Sequence, residues 1–100
     1  EEEIAQSVRM ILSTTCGERT FRPRFGSRLS QYAFAPVDTT LKNQIRVEIL
    51  SALQAWEPRI QDIQVEFEPA QKDGALIARV SYQLRGTGQA AGMILPVQTG

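Results

Sequence analysis

A two-layer α+β domain is the fold class this 100-residue sequence predicts, with helices first and a small antiparallel sheet last. Two main helices and a short one are expected to pack on three strands, in the order α-α-α-β-β-β. Three observations carry this expectation. Apolar residues recur at helical spacing near the start of the chain and again through Leu41, Ile45, Ile49, Leu50, Leu53 and Trp56. They switch to strict alternation at Ile63, Val65 and Phe67. Pro58 stands at the switch, where it lacks the N–H a helix needs and disfavours helix in the residue before it.

Glu2 to about Thr14 reads as the first helix. Ile4, Val8, Ile11 and Leu12 fall on one face, and the leading glutamates suit the positive end of the helix dipole. Cys16-Gly17 provides a stop. Residues 15–36 follow as an irregular stretch punctuated by Gly17, Pro23 and Gly26, with Phe21 and Phe25 as expected anchors. Within it, Ser27 is placed to cap a short helix over Arg28 to Ala33, with Leu29, Tyr32 and Phe34 inward. Asp38 is a good N-cap for the central helix, Thr39 to Trp56. Trp56, the single tryptophan, is expected to fill the corner where helix meets sheet.

The strands come next. Asp62 to Glu68 is expected to turn Ile63, Val65 and Phe67 inward and Gln64, Glu66 and Glu68 outward. Asp73-Gly74 closes a turn. Ala75 to Arg85 then alternates Leu76, Ala78, Val80, Tyr82 and Leu84 against Ile77, Arg79, Ser81, Gln83 and Arg85. After Gly86 to Gly88, Met93 to Val97 reads as a short third strand, which Pro96 marks as an edge.

Composition narrows the function. Length fits one domain over residues 1–100, and 42% apolar with 22% charged residues fits a soluble chain. No apolar run is long enough to cross a membrane, and no membrane partner is expected. The chain opens on Glu1 rather than Met, so residues of its natural N-terminus are expected to be missing. One cysteine gives no internal disulfide and suggests a cytosolic protein or one assembled in the cytosol. Histidine is absent, and no cluster has metal-ligand spacing, so neither metal nor cofactor is expected. Eleven acidic residues balance eleven basic ones, which argues against a nucleic-acid partner. Nine of the eleven basic residues are arginine, a residue suited to interfaces, and Arg19, Arg22, Arg24 and Arg28 crowd one segment. They read either as a basic interface or as a solvated loop. Glu57 and Arg59, held by the rigid Pro58, read either as a surface ion pair or as a docking point for another protein.

Residues 53–60, Leu-Gln-Ala-Trp-Glu-Pro-Arg-Ile, resemble the Glu-Pro-Arg motif of the small baseplate wedge proteins of contractile phage tails. That family has been called lysozyme-like and is related to a baseplate component of type VI secretion systems. A second stretch is similar to the family's other signature: Ile11-Leu12-Ser13-Thr14, then Gly17-Glu18-Arg19, then Pro23-Arg24-Phe25-Gly26-Ser27. The resemblance implies a structural component of a phage tail or phage-like baseplate, assembled in the bacterial cytoplasm. It implies docking to other wedge proteins through Glu57, Pro58 and Arg59. It further implies templating of the tail sheath protein by strand addition. The segments expected to receive the sheath strands are Ile77 to Arg85 and Met93 to Val97, with Ile77, Arg79, Ser81, Gln83, Met93 and Leu95 as contact residues. The isolated chain is expected to be a monomer or a weak dimer. The competing function is a muramidase acting on peptidoglycan, which would need a pair of carboxylates across a sugar cleft. Glu18 and Glu57, with Glu48 as a weaker candidate, are the only residues that suggest themselves. No lysozyme-type motif accompanies them, and catalysis is not expected.

Overall fold

The computed structural model describes residues 2–14, 26–27, 29, 38–69 and 75–98. Within them the chain forms helix α1 (Glu2–Ser13), helix α2 (Thr39–Trp56) and strands β1 (Ile60–Pro69), β2 (Ala75–Leu84) and β3 (Ala90–Gln98). The strands make one antiparallel sheet in the order β1-β2-β3. Both helices cover the same face of it, α2 beside β1 and α1 beside β3. The short helix expected over 28–33 lies outside the described residues, as do Arg19, Arg22, Arg24 and Arg28. Leu29 is described and packs half-buried against the core.

The helices follow their apolar spacing. Val8, Ile11 and Leu12 of α1 are buried, with Ile4 half-buried beside them. Asp38 caps α2 by accepting from the Leu41 N–H at 2.7 Å. Leu41, Ile45, Ile49, Ala52 and Leu53 form the buried stripe of α2, while Leu50 and Trp56 are only half-covered. Facing them, β2 presents Leu76, Ala78, Val80, Tyr82 and Leu84, all buried, as the alternation predicts. Ala78 lies at the centre with no exposed surface, and its small side chain leaves room for the helices above it. Full burial of each large aliphatic residue here is worth about 1.5–3 kcal/mol.

Residues 26–27 tie down the end of α1. The Ser27 N–H donates to the Thr14 carbonyl at 2.9 Å, and its Oγ donates to the Leu12 carbonyl at 3.2 Å. Two acceptors that the helix leaves unused at its C-terminus are thereby satisfied. Gly26 makes this approach possible, with φ +106° and a position where a Cβ would sit 2.3 Å from the Thr14 oxygen.

Two strands differ from expectation in length. β3 starts three residues before Met93. β1 starts at Ile60, two residues before Asp62, and carries a bulge. Ile60 and Gln61 pair with Leu84 and Gln83, but Gln64 and Val65 pair with Ser81 and Val80, one extra residue having been inserted on β1. Asp62 absorbs it with φ +52°, a conformation short polar side chains tolerate. The bulge resets the alternation. Ile60 and Val65, separated by an odd number of positions, both become buried. Without it, Asp62, Gln64 and Glu66 would face the core.

Candidate functional site: the turn at residues 57–59 and the edge of β3

The turn between α2 and β1 is built on an inward carboxylate. Glu57 closes α2, with its N–H donating to the Leu53 carbonyl at 2.8 Å. Its side chain is 1% exposed. Arg59 meets it as a fork: Nε donates to Oε2 at 2.8 Å and Nη2 to Oε1 at 2.9 Å. The Arg59 backbone N–H donates to Oε2 at 3.2 Å. Ser7 of α1 adds a hydrogen bond to the same carboxylate. The Arg59 fork is the main cause that holds the Glu57 carboxyl below the usual carboxylate range, against the opposing effect of burial. Reciprocally, the Glu57 carboxylate raises the guanidinium further.

The turn is also fixed by the residue that follows β2. Arg85 donates through Nε to the Pro58 carbonyl at 2.9 Å, and its N–H donates to the Arg59 carbonyl at 2.8 Å. A solvent-open cavity of about 590 Å³ lies alongside, lined by Leu50, Gln54, Pro58, Gln61, Asp62 and Arg85 among others.

The reading of Glu57 and Arg59 as an exposed ion pair therefore needs correction. Glu57 is buried, and a partner cannot reach its carboxylate without displacing Arg59. The surface of the motif consists of Pro58 and Arg59, both exposed. Two of the five N–H donors of the Arg59 guanidinium serve Glu57, so the remaining three are not committed to it. Glu57 acts as the residue that aims Arg59. Sequence reasoning had no signal for Ser7 or Arg85, since both contacts arise from elements far apart in the chain.

The same geometry bears on the muramidase reading. A general acid needs a raised pKa and access to substrate. Glu57 borders the cavity, but its pKa is lowered and its side chain is only 1% exposed. Glu18 lies outside the described residues, and Glu48 stands half-buried on α2. Among the described residues no cluster of His, Cys, Asp or Glu is arranged to hold a metal ion. No helix there is long and apolar enough to cross a membrane.

The sheet edges sort the remaining candidates. Ile77, Arg79, Ser81 and Gln83 lie on β2, the central strand, which is paired with β1 on one side and β3 on the other. Their backbone is not available to an added strand, and the expectation placed on Ile77 to Arg85 is corrected accordingly. Met93 and Leu95 do lie on an outer strand. Antiparallel pairing alternates bonded and non-bonded pairs, which fixes where their groups point. Leu84 N–H donates to the Gln89 carbonyl at 2.9 Å. Counting down the register from that bond, Val80–Met93 and Ala78–Leu95 are also bonded pairs. The groups left on the outer side of β3 belong instead to Gly92, Ile94 and Pro96. Pro96 occupies a place where its missing N–H costs the sheet no bond. Ile94 is 54% exposed. A Cβ on Gly92 would stand 2.9 Å from the Val80 carbonyl, so glycine is what lets β3 lie this close to β2.

Comparison with known proteins gives a consistent result. The family model described as baseplate wedge protein gp25 matches residues 1–89. Baseplate protein W of Escherichia phage P2 is 33% identical over 96 residues, covering 96% of this chain and 83% of that protein. Baseplate wedge protein gp25 of Enterobacteria phage T4 is 31% identical over 81 residues, which are 81% of this chain and 61% of that one. Among solved structures, a Geobacter sulfurreducens protein provisionally described as a tail lysozyme superposes with a TM-score of 0.88 at 35% identity, covering 99% of this chain and 90% of that one. A chain of the postcontracted pyocin R2 baseplate gives a TM-score of 0.66 at 27% identity, covering 100% and 86%. A chain of a type VI secretion system baseplate complex gives 0.71, covering 99% and 93%, and at 14% identity it speaks to fold alone.

Proposed function

The chain belongs to the baseplate wedge protein gp25 family, and on that premise we propose how it is built into a contractile baseplate as a structural, non-catalytic component. It docks on other wedge proteins through the exposed Pro58-Arg59 surface of the turn at residues 57–59. It receives a strand of the tail sheath protein along the outer edge of β3. One unit over residues 1–100 carries both contacts, and assembly takes place in the bacterial cytoplasm. The isolated chain is a monomer or a weak dimer.

The observation that carries this reading is the outer edge of β3. Gly92 and Ile94 each present an N–H and a C=O that no described residue pairs with, on a nine-residue strand with an apolar exposed residue at its middle. Such an edge is a template for strand addition. The fixed turn at Glu57 supports the docking half, because a guanidinium aimed by a buried carboxylate is already ordered before it meets a partner.

The test is capture of purified sheath and wedge proteins encoded beside this chain, by wild type, Ile94→Pro and Arg59→Ala. Proline at residue 94 removes an outward N–H but no bond within the sheet. Wild type is expected to capture both partners, Ile94→Pro to lose the sheath protein alone, and Arg59→Ala to lose the wedge protein alone, with unchanged circular dichroism. Equal sheath capture by Ile94→Pro overturns strand addition at this edge. Equal wedge capture by Arg59→Ala overturns docking through the turn.

A further inference from the structure

A three-stranded open sheet has two outer edges, and strand addition is selective only if one of them is closed. The described residues treat the two edges differently. On β1 the Val65–Val80 pair is non-bonded, because Val80 spends its groups on Met93 of β3. Val65 therefore turns its N–H and C=O to the outer side. Arg46 of α2 reaches that side: its Nε donates to the Val65 carbonyl at 3.2 Å. Its guanidinium lies 5.3 Å from the centre of the Phe67 ring, and Nη1 donates to Asn43 Oδ1 at 2.7 Å. One cation thus occupies the acceptor, covers the neighbouring aromatic ring and is itself held by its own helix.

Phe67, which pairs with Ala78 and so also turns its groups outward, lies under the same guanidinium, and beyond Val65 and Phe67 the β1 edge is interrupted on both sides. The bulge at Asp62 breaks the regular spacing of outward groups before Val65. Pro69, at the other end, has no N–H to offer. On β3 the outward groups of the corresponding positions, Gly92 and Ile94, are paired with no described residue.

We propose that Arg46 is a specificity determinant that closes the β1 edge and so confines strand addition to β3. This rests on the strand-addition reading above, but its test does not depend on the sheath protein. A molecule with one open edge can pair with a second copy once and no further. A molecule with two open edges can extend at both ends.

The experiment is sedimentation equilibrium of wild type, Arg46→Met and Arg46→Lys across a hundredfold range of concentration, with amide exchange followed at Val65 and Phe67. Methionine keeps the apolar stem over Phe67 but removes every donor, whereas lysine keeps a cation and a donor. Wild type and Arg46→Lys are expected never to exceed the mass of two chains. Arg46→Met is expected to pass that mass as concentration rises, with exchange at Val65 and Phe67 slowed at least tenfold in the assemblies. Arg46→Gln, which keeps a neutral donor, replaces lysine as the control if Arg46→Lys is poorly folded, and Arg46→Ala replaces methionine on the same terms. A folded donor-free variant whose mass and exchange match wild type overturns the proposal, as does wild type growing beyond two chains. Loss of the sheath result in Ile94→Pro with no growth in Arg46→Met keeps the strand-addition reading and removes Arg46 from it. Growth in Arg46→Met with equal sheath capture by Ile94→Pro does the reverse.

Discussion

Replacing Glu57 by glutamine tests whether the turn is held from inside. The substitution keeps the shape of the side chain and removes its charge. The fork from Arg59 loses its ionic acceptor, and the new amide NH₂ points at a guanidinium that can only donate. Hydrogen bonds to a charged group are worth about 1.5–3 kcal/mol, and a buried donor left without a partner costs about 1–3 kcal/mol. Arg59 is half-exposed and regains water, which offsets part of the loss. A net cost of about 2–3 kcal/mol follows for Glu57→Gln. In a domain of this size it corresponds to a fall in Tm of roughly 10–20 °C. An ordinary exposed pair would cost no more than about 1 kcal/mol. The pH dependence supplies a second readout. Glu57 titrates below its ordinary value of 4.5 in the fold and near that value when unfolded. Its contribution is therefore complete above about pH 4.5 and is lost as pH falls through the folded value. Thermal unfolding by circular dichroism between pH 7 and pH 3 should show the gap between wild type and Glu57→Gln narrowing only in the acid range. A gap under about 5 °C at pH 7, or one that does not narrow in acid, refutes the buried network as the source of order in the turn.

Three further outcomes are expected. Gly26→Ala should destabilise by about 3 kcal/mol or more, because φ +106° and a Cβ 2.3 Å from the Thr14 oxygen leave no room to relax; chemical denaturation measures it. Ser27→Ala should cost only about 1 kcal/mol, since it removes the Oγ bond to Leu12 and keeps the backbone bond to Thr14; the same titration separates the two. Gly92→Ala should cost about 1–2 kcal/mol by pushing β3 off the Val80 carbonyl, and amide exchange should quicken on β3 while β1 stays protected.

Much of the fold was legible because its signals are local. The cap at Asp38, the span of α2 and the alternation along β2 each rest on residues a few positions apart, and physics at that range is nearly independent of the rest of the chain. The order of the helices and strands followed from where the period changes. The bulge at Asp62 was less accessible: the run from Ile60 to Phe67 contains inward residues of both parities, but only pairing with β2 shows where the extra residue goes. Glu57 was read as exposed because carboxylates usually are. What surrounds it is Arg59, two residues on, and Ser7 of α1, brought in from the other helix. The same limit explains why Ile77 to Arg85 was expected to receive an added strand. Alternation reports which face a residue occupies, and it carries no information on how many neighbours a strand has.

Pro96 has a consequence for alignment along the β3 edge. An added strand that met a row of identical donors and acceptors could slide in steps of two residues, each step about 6.8 Å at about 3.4 Å per residue, with no change in bonding. Pro96 supplies an acceptor and no donor, so the row is marked at one point. Registers that place an acceptor of the incoming strand opposite Pro96 lose one bond, worth about 0.5–1.5 kcal/mol, relative to those that end before it. If a strand adds along this edge as proposed, the missing hydrogen atom of Pro96 marks the register it takes.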